Sequence, residues 1–104
     1  MTQDDIIKVC IDLDWAVDFA DNGHYVVFSK CNNVNNYDIA FDYDSLSDLP
    51  KEIREYAEND YDVKMEAVDM FEQREDYTFK ECREASMQNK TNMIALADAL
   101  AMIN

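Results

Sequence analysis

The stretch Tyr37-Asp38-Ile39-Ala40-Phe41-Asp42-Tyr43-Asp44 constrains the chain more than any other. Its odd positions are large and apolar or aromatic, and its even positions are Asp, Ala, Asp and Asp. Successive side chains of a β-strand point to opposite faces, so the alternation predicts a half-buried strand. Tyr37, Ile39, Phe41 and Tyr43 then face a core, with Asp38, Asp42 and Asp44 in a row on the outer face. Aspartate is a poor strand former, so its concentration here asks for a physical reason. A strand apolar on one face also needs sheet neighbours and a second layer to cover that face.

The neighbours lie just upstream. Trp15, Val17 and Phe19 alternate with Ala16, Asp18 and Ala20, a second strand pattern. Asp21-Asn22-Gly23 follows as a turn, with the only glycine of the chain where a positive φ is needed. His24 to Lys30, rich in β-formers at Tyr25-Val26-Val27-Phe28, reads as the returning strand. Cys31-Asn32-Asn33-Val34-Asn35-Asn36 is a polar loop before the strand from Tyr37 to Asp44. Two successive hairpins make a three-stranded antiparallel meander.

Helical patterns flank the meander. Thr2 caps a first helix from about Gln3 to Leu13, with a weak end because Asp12 opposes the dipole there. Leu49, Ile53, Tyr56 and Ala57 form one face of a second helix, interrupted at Asn59-Asp60-Tyr61. A third helix runs from Asp62 to about Gln73 and buries Val63, Ala67, Met70 and Phe71. Thr78-Phe79-Lys80-Glu81 is a capping box that opens the last helix. Phe79, Cys82, Ser86, Asn89, Met93, Leu96, Leu100 and Ile103 keep a 3–4 spacing, so this helix extends for roughly 25 residues. Ser86 and Asn89 weaken the stripe at its middle, and a break near Lys90-Thr91-Asn92 is the alternative. The expected fold is therefore α+β: a three-stranded antiparallel meander packed against helices, in the order α-β-β-β-α-α-α. With 104 residues, one Gly and one Pro, residues 1–104 are expected to form a single domain.

Charge narrows the function classes. The 23 acidic and 9 basic residues leave a formal charge of −14, while a 48% hydrophobic fraction keeps the chain among folded proteins. Such a surface repels nucleic acid and anionic membranes and attracts basic surfaces. Strand-alternate aspartates stand about 6.6–6.8 Å apart, comparable in scale to neighbouring phosphates on a nucleic-acid strand. The candidate partner-binding residues are Asp18, Asp38, Asp42 and Asp44 on the sheet, and Glu52, Glu55, Glu58, Asp69, Glu72 and Glu75 on the helices. A solvated acidic face that prevents edge-to-edge pairing explains the same residues without a partner.

Signals for catalysis and cofactors are absent from the sequence. His24, the only histidine, has no neighbouring carboxylate or cysteine in sequence and reads as an exposed strand-edge residue. Cys10, Cys31 and Cys82 are odd in number and far apart, which predicts reduced thiols and a cytoplasmic setting. Asp42-Tyr43-Asp44 begins like a calcium loop, but Leu46 and Ser47 occupy the fifth and sixth positions and Ile53 the twelfth. No cofactor or metal is expected. Met65, Met70, Met87, Met93 and Met102 read as core filling, with a Met-rich partner groove as the functional alternative. The acidic start shows no secretory signal, and no stretch has the roughly 18 apolar residues of a membrane span.

The segment from Leu46 to Asn104 resembles small acidic uncharacterised proteins of bacteriophages and integrative elements. The residues that carry the resemblance are Phe41-Asp42-Tyr43-Asp44-Ser45-Leu46, Tyr61-Asp62-Val63 before a helix, and Leu96-Ala97-Asp98-Ala99-Leu100. The element order and charge are similar to those of a small acidic type II-A anti-CRISPR inhibitor. The resemblance itself implies no chemistry; charge and element order together favour a non-enzymatic phage or mobile-element inhibitor that acts by binding in the host cytoplasm. Its acidic surface would substitute for nucleic acid against the basic surface of a host nucleic-acid-binding protein, a CRISPR effector or a restriction enzyme. The alternative is a protein–protein adaptor or regulatory subunit that binds through its helical face.

Overall fold

A computed structural model of the chain describes residues 1–103, and in it the expected order of elements is realised. Helix α1 spans Gln3–Asp12, strands β1, β2 and β3 span Ala16–Phe19, Tyr25–Cys31 and Asn36–Asp42, and α2 spans Leu49–Glu55. Helices α3 and α4 span Val63–Gln73 and Phe79–Ala101. The strands form an antiparallel sheet in the order β1-β2-β3. β2 is central, and Phe28 pairs with Val17 on one side and Ile39 on the other.

The sheet alternates as its sequence predicts. Trp15, Val26, Phe28, Ile39 and Tyr43 are buried, whereas Ala16, Asp18, Asp38, Ala40, Asp42 and Asp44 are exposed. Edge-to-face aromatic contacts link Trp15, Phe28, Phe41, Tyr56, Tyr61 and Tyr37 in an unbroken chain from sheet to helices. The last helix and α2 close this core with Leu49, Ile53, Met93, Leu96 and Leu100. A smaller cluster of Val34, Met70, Cys82 and Ala85 sits at the other end of α4. Val34 thus carries a core contact that its setting among asparagines concealed.

Several boundaries differ from the sequence reading. β3 begins at Asn36 and ends at Asp42, so Tyr43 and Asp44 lie beyond the strand. The expected weak end of α1 is instead a firm stop. Asp14 adopts a left-handed φ of 60°, while the Trp15 and Asp14 amides donate to the carbonyls of Cys10 and Ile11. This is the Schellman arrangement, with Asp in the place glycine usually takes. Lys30 on β2 then donates from Nζ to the Leu13 carbonyl at 2.7 Å, supplying a cation that the last turn of α1 lacks. Gly23 has a φ of 74° in the β1–β2 turn, as its position requires.

The long C-terminal helix is continuous through Lys90-Thr91-Asn92 and carries its capping box at Thr78 and Glu81. α2 ends in a π-helical turn over Tyr56–Asp60, where the Tyr61 amide donates to the Tyr56 carbonyl at 2.8 Å. That turn places Tyr61 against α4. Its hydroxyl lies 2.8 Å from Ser86 Oγ and accepts from Asn89 Nδ2 at 3.2 Å. Asn89 Oδ1 accepts in turn from Asn32 Nδ2 at 2.9 Å, in the β2–β3 loop. The two residues that interrupt the apolar stripe are therefore buried within a satisfied polar network.

Two core expectations are corrected. Phe71 on α3 and Phe79 on α4 are 45% and 40% exposed, because they pack on each other at the outer flank of the helical hairpin. Of the five methionines after the first residue, only Met70 and Met93 are buried, while Met65, Met87 and Met102 are exposed. The thiols are unpaired, with Cys10 and Cys82 buried and Cys31 exposed.

Candidate acidic binding surface

The outer face of the sheet carries no helical layer of its own and presents Asp18, Asp38 and Asp42, all exposed. The register, however, disperses them. Asp18 stands opposite Val27, which stands opposite Ala40, whereas Asp38 stands opposite Ser29. Asp38 and Asp42 are separated along β3 by Ala40, so they lie about 13 Å apart rather than one alternate step. The face reads in rows of Ala16-Ser29-Asp38, Asp18-Val27-Ala40 and Tyr25-Asp42, so its carboxylates lie only on the two edge strands. The sheet alone does not hold a phosphate-like row.

The carboxylates gather instead at the junction of β3 and α2. The strand ends at Asp42, and a 3-10 turn over Leu46–Asp48 leads directly into α2, with Pro50 in its first turn. Proline is tolerated there because the first helical amides have no intrahelical partner. This short connection brings Glu52 back toward the strand end, where it lines a shallow cleft with His24, Asp42, Tyr43 and Asp44. The Glu52 carboxyl is held above its ordinary value by partial burial first, then by the charges of Asp48, Asp44, Glu55 and Asp42. Five carboxylates from a strand, a turn and a helix thus share one corner. His24 joins them, with Nδ1 at 3.4 Å from the Tyr43 carbonyl.

Within the corner, Glu55 also pairs with Lys51 at 3.8 Å. The remaining acidic candidates are distributed around the helices: Glu58 pairs with Arg54 at 2.7 Å, and Arg54 also pairs with Asp98. All are at least two-fifths exposed, so these pairs contribute little to stability. Asp69 lies beside Glu66, whose carboxyl is raised by burial and by Asp69 and Asp62. Glu72 and Glu75 are exposed at the far end of α3 and in the turn after it. They do not join the corner.

In the sequence, Asp42 and Asp44 fall on a sheet face and Glu52 and Glu55 on a helix, His24 reads as the exposed strand-edge residue it is, and Asp48 is not among the binding candidates. The usable signal was the brevity of the connection between Asp44 and Leu49, which obliges the strand end and the helix start to be neighbours. Among the described residues, no group of three or more His, Cys, Asp or Glu side chains is arranged to hold a metal ion. No helix among them is long and apolar enough to cross a membrane. No family model, curated protein or solved structure matches the chain.

The raised carboxyls set a pH dependence. Glu52 and Glu66 bind protons more readily in the folded chain than their ordinary value of 4.5 implies. Stability from them is fully present below that value and is lost as pH rises through the raised folded values. Asp5 acts oppositely: its hydrogen bonds to Thr2 lower it from 3.8, so its contribution is lost only at more acidic pH. The melting temperature should therefore rise as pH falls through the raised values of Glu52 and Glu66 toward about 4.5, while the contribution of Asp5 is lost only below about 3.8. A thermal series on Glu52→Gln/Glu66→Gln should show a flatter rise; an unaltered slope would mean the carboxyls of Glu52 and Glu66 are not the source.

Proposed function

We propose that the chain is a phage or mobile-element inhibitor that acts by binding rather than catalysis, in the host cytoplasm. Its target is a host nucleic-acid-handling defence enzyme, a CRISPR effector or a restriction enzyme. The observation that carries this reading is the convergence of Asp42, Asp44, Asp48, Glu52 and Glu55 at the β3–α2 corner of a chain with a formal charge of −14. Clustered carboxylates on a rigid strand end and helix start offer a basic cleft what a phosphate backbone offers it. Arg and Lys side chains that fork onto phosphate oxygens accept carboxylate oxygens in the same geometry. Repulsion among the five is relieved when such a partner docks.

The test begins by capturing the partner from host lysate and measuring its affinity at two salt concentrations. Binding should weaken steeply with salt, as for displacement of a nucleic-acid-like polyanion. Asp42→Asn/Asp44→Asn/Glu52→Gln should stay folded by circular dichroism and lose about 1.5–3 kcal/mol of binding for each contact that is desolvated. Asp18→Asn/Asp38→Asn, on the dispersed face, should lose less. A folded corner variant that binds as tightly as the parent would remove the basis for this reading.

A further inference from the structure

Five of the nine basic residues lie after position 60, interspersed with eight acidic residues between Asp62 and Glu84. Of the five basic residues after position 60, only Arg74 is in an ion pair among the described residues, with Asp76. The other four, Lys64, Lys80, Arg83 and Lys90, belong to the α3–α4 hairpin. Val63, Lys64, Phe79 and Arg83 line a groove of about 370 Å³ between the two helices. Phe71 and Phe79 meet edge to face at a centroid distance of 5.8 Å beside it, each substantially exposed. Phe79, Arg83 and Met87 recur every four residues, so they share one stripe of α4, and Met87 is 53% exposed. Glu81 and Glu84 line a different depression, beside Asn33, Val34 and Tyr77.

Large exposed aromatics are costly on a soluble surface, and two of them packed together beside a groove mark a surface built to be covered. The rim states what covers it. We propose that the α3–α4 groove docks an amphipathic helix of a partner protein, with apolar anchors seated on Phe71, Phe79 and Met87 and carboxylates paired to Lys64 and Arg83. A basic partner would meet unpaired cations there and is directed to the β3–α2 corner. The four residues that line the groove include two cations and no carboxylate, and charges more than about 8 Å away are largely screened at physiological salt. The groove is independent of the corner, so one chain carries two surfaces of opposite preference and can bridge two partners.

The probe is a labelled synthetic peptide of about 18 residues with leucines at i, i+3, i+4 and i+7 flanked by glutamates, a length and pattern suited to helix-in-groove docking. A matched peptide carries lysines in place of the glutamates. Binding is read by fluorescence anisotropy, and its location by NMR of Met-methyl and Phe-ring labels. The acidic peptide should shift Met87, Phe71 and Phe79. Lys64→Glu/Arg83→Glu and Phe79→Ser, all at exposed positions, should each weaken it by about tenfold or more, as loss of an interface anchor does. Asp42→Asn/Asp44→Asn/Glu52→Gln should bind it as the parent does, which separates failure here from failure of the corner. The proposal is overturned if the shifts fall elsewhere, if folded groove variants bind the acidic peptide undiminished, or if the parent does not bind it. It is equally overturned if the parent sediments as a dimer that Phe79→Ser dissociates, since the occupant is then a second copy.

Discussion

Replacing Phe28 by alanine is expected to destabilise the fold by about 3–5 kcal/mol, the range for emptying a buried aromatic site. Phe28 is fully buried at the centre of the middle strand, in edge-to-face contact with Trp15 and Phe41, each at a centroid distance of 6.4 Å. Its loss interrupts the aromatic chain between α1 and the π-helical turn, and no neighbour is free to fill a site held from both flanking strands. Domains of this size have only about 5–15 kcal/mol of stability, so the variant should lie near its unfolding threshold at ordinary temperature. Phe41→Ala should cost less, because Phe41 is half-buried. Val27→Ala is the sharper control: Val27 is adjacent on the same strand but faces the uncovered side. Urea unfolding of the three variants gives the ranking directly. If Phe28→Ala were as mild as Val27→Ala, the assignment of sheet faces would fail.

The two buried tyrosine hydroxyls should respond in opposite ways to phenylalanine. Tyr61 Oη lies 2.8 Å from Ser86 Oγ, donates to the Ser86 carbonyl at 3.0 Å, and receives Asn89 Nδ2 at 3.2 Å. Removing it strands the Asn89 amide inside the protein, which costs about 1–3 kcal/mol for a neutral group. Asn89→Ala should cost more, since it also releases the Asn32 side chain that organises the β2–β3 loop through the Val34 and Asn35 amides. Tyr43 Oη, by contrast, is buried and makes no hydrogen bond. Tyr43→Phe removes a desolvated hydroxyl that gains nothing in return, so it should be neutral or stabilising. Amide hydrogen exchange in residues 32–35 would report the Asn89→Ala effect on the loop separately from global unfolding. Equal costs for Tyr61→Phe and Tyr43→Phe would show that the network does not act as the hydrogen bonds imply.

Local pattern alone was enough for the architecture of this chain. The alternation at Trp15–Phe19 and Tyr37–Tyr43, the turn at Gly23 and the capping boxes at Thr2 and Thr78 each depend on residues within a few positions of one another. Such signals survive without tertiary context because backbone dihedrals and nearest hydrogen bonds are decided locally. Element order and the inward face of the sheet followed from them.

What tertiary structure decided was every relation between distant segments. Ser86 and Asn89 read as flaws in an apolar stripe, and became the buried centre of α4 only because a π-helical turn delivers Tyr61 to them. Phe71 and Phe79 had the right helical phase for a core but face outward, since phase sets which residues share a face and not whether anything covers it. The acidic residues show the same division. Composition alone determined the formal charge of −14, because net charge is a sum over residues wherever they lie. Where carboxylates crowd depends on the inverse distance between them. Strand register dispersed Asp18 and Asp38, and the short turn into α2 drew Asp42, Asp44, Asp48, Glu52 and Glu55 together.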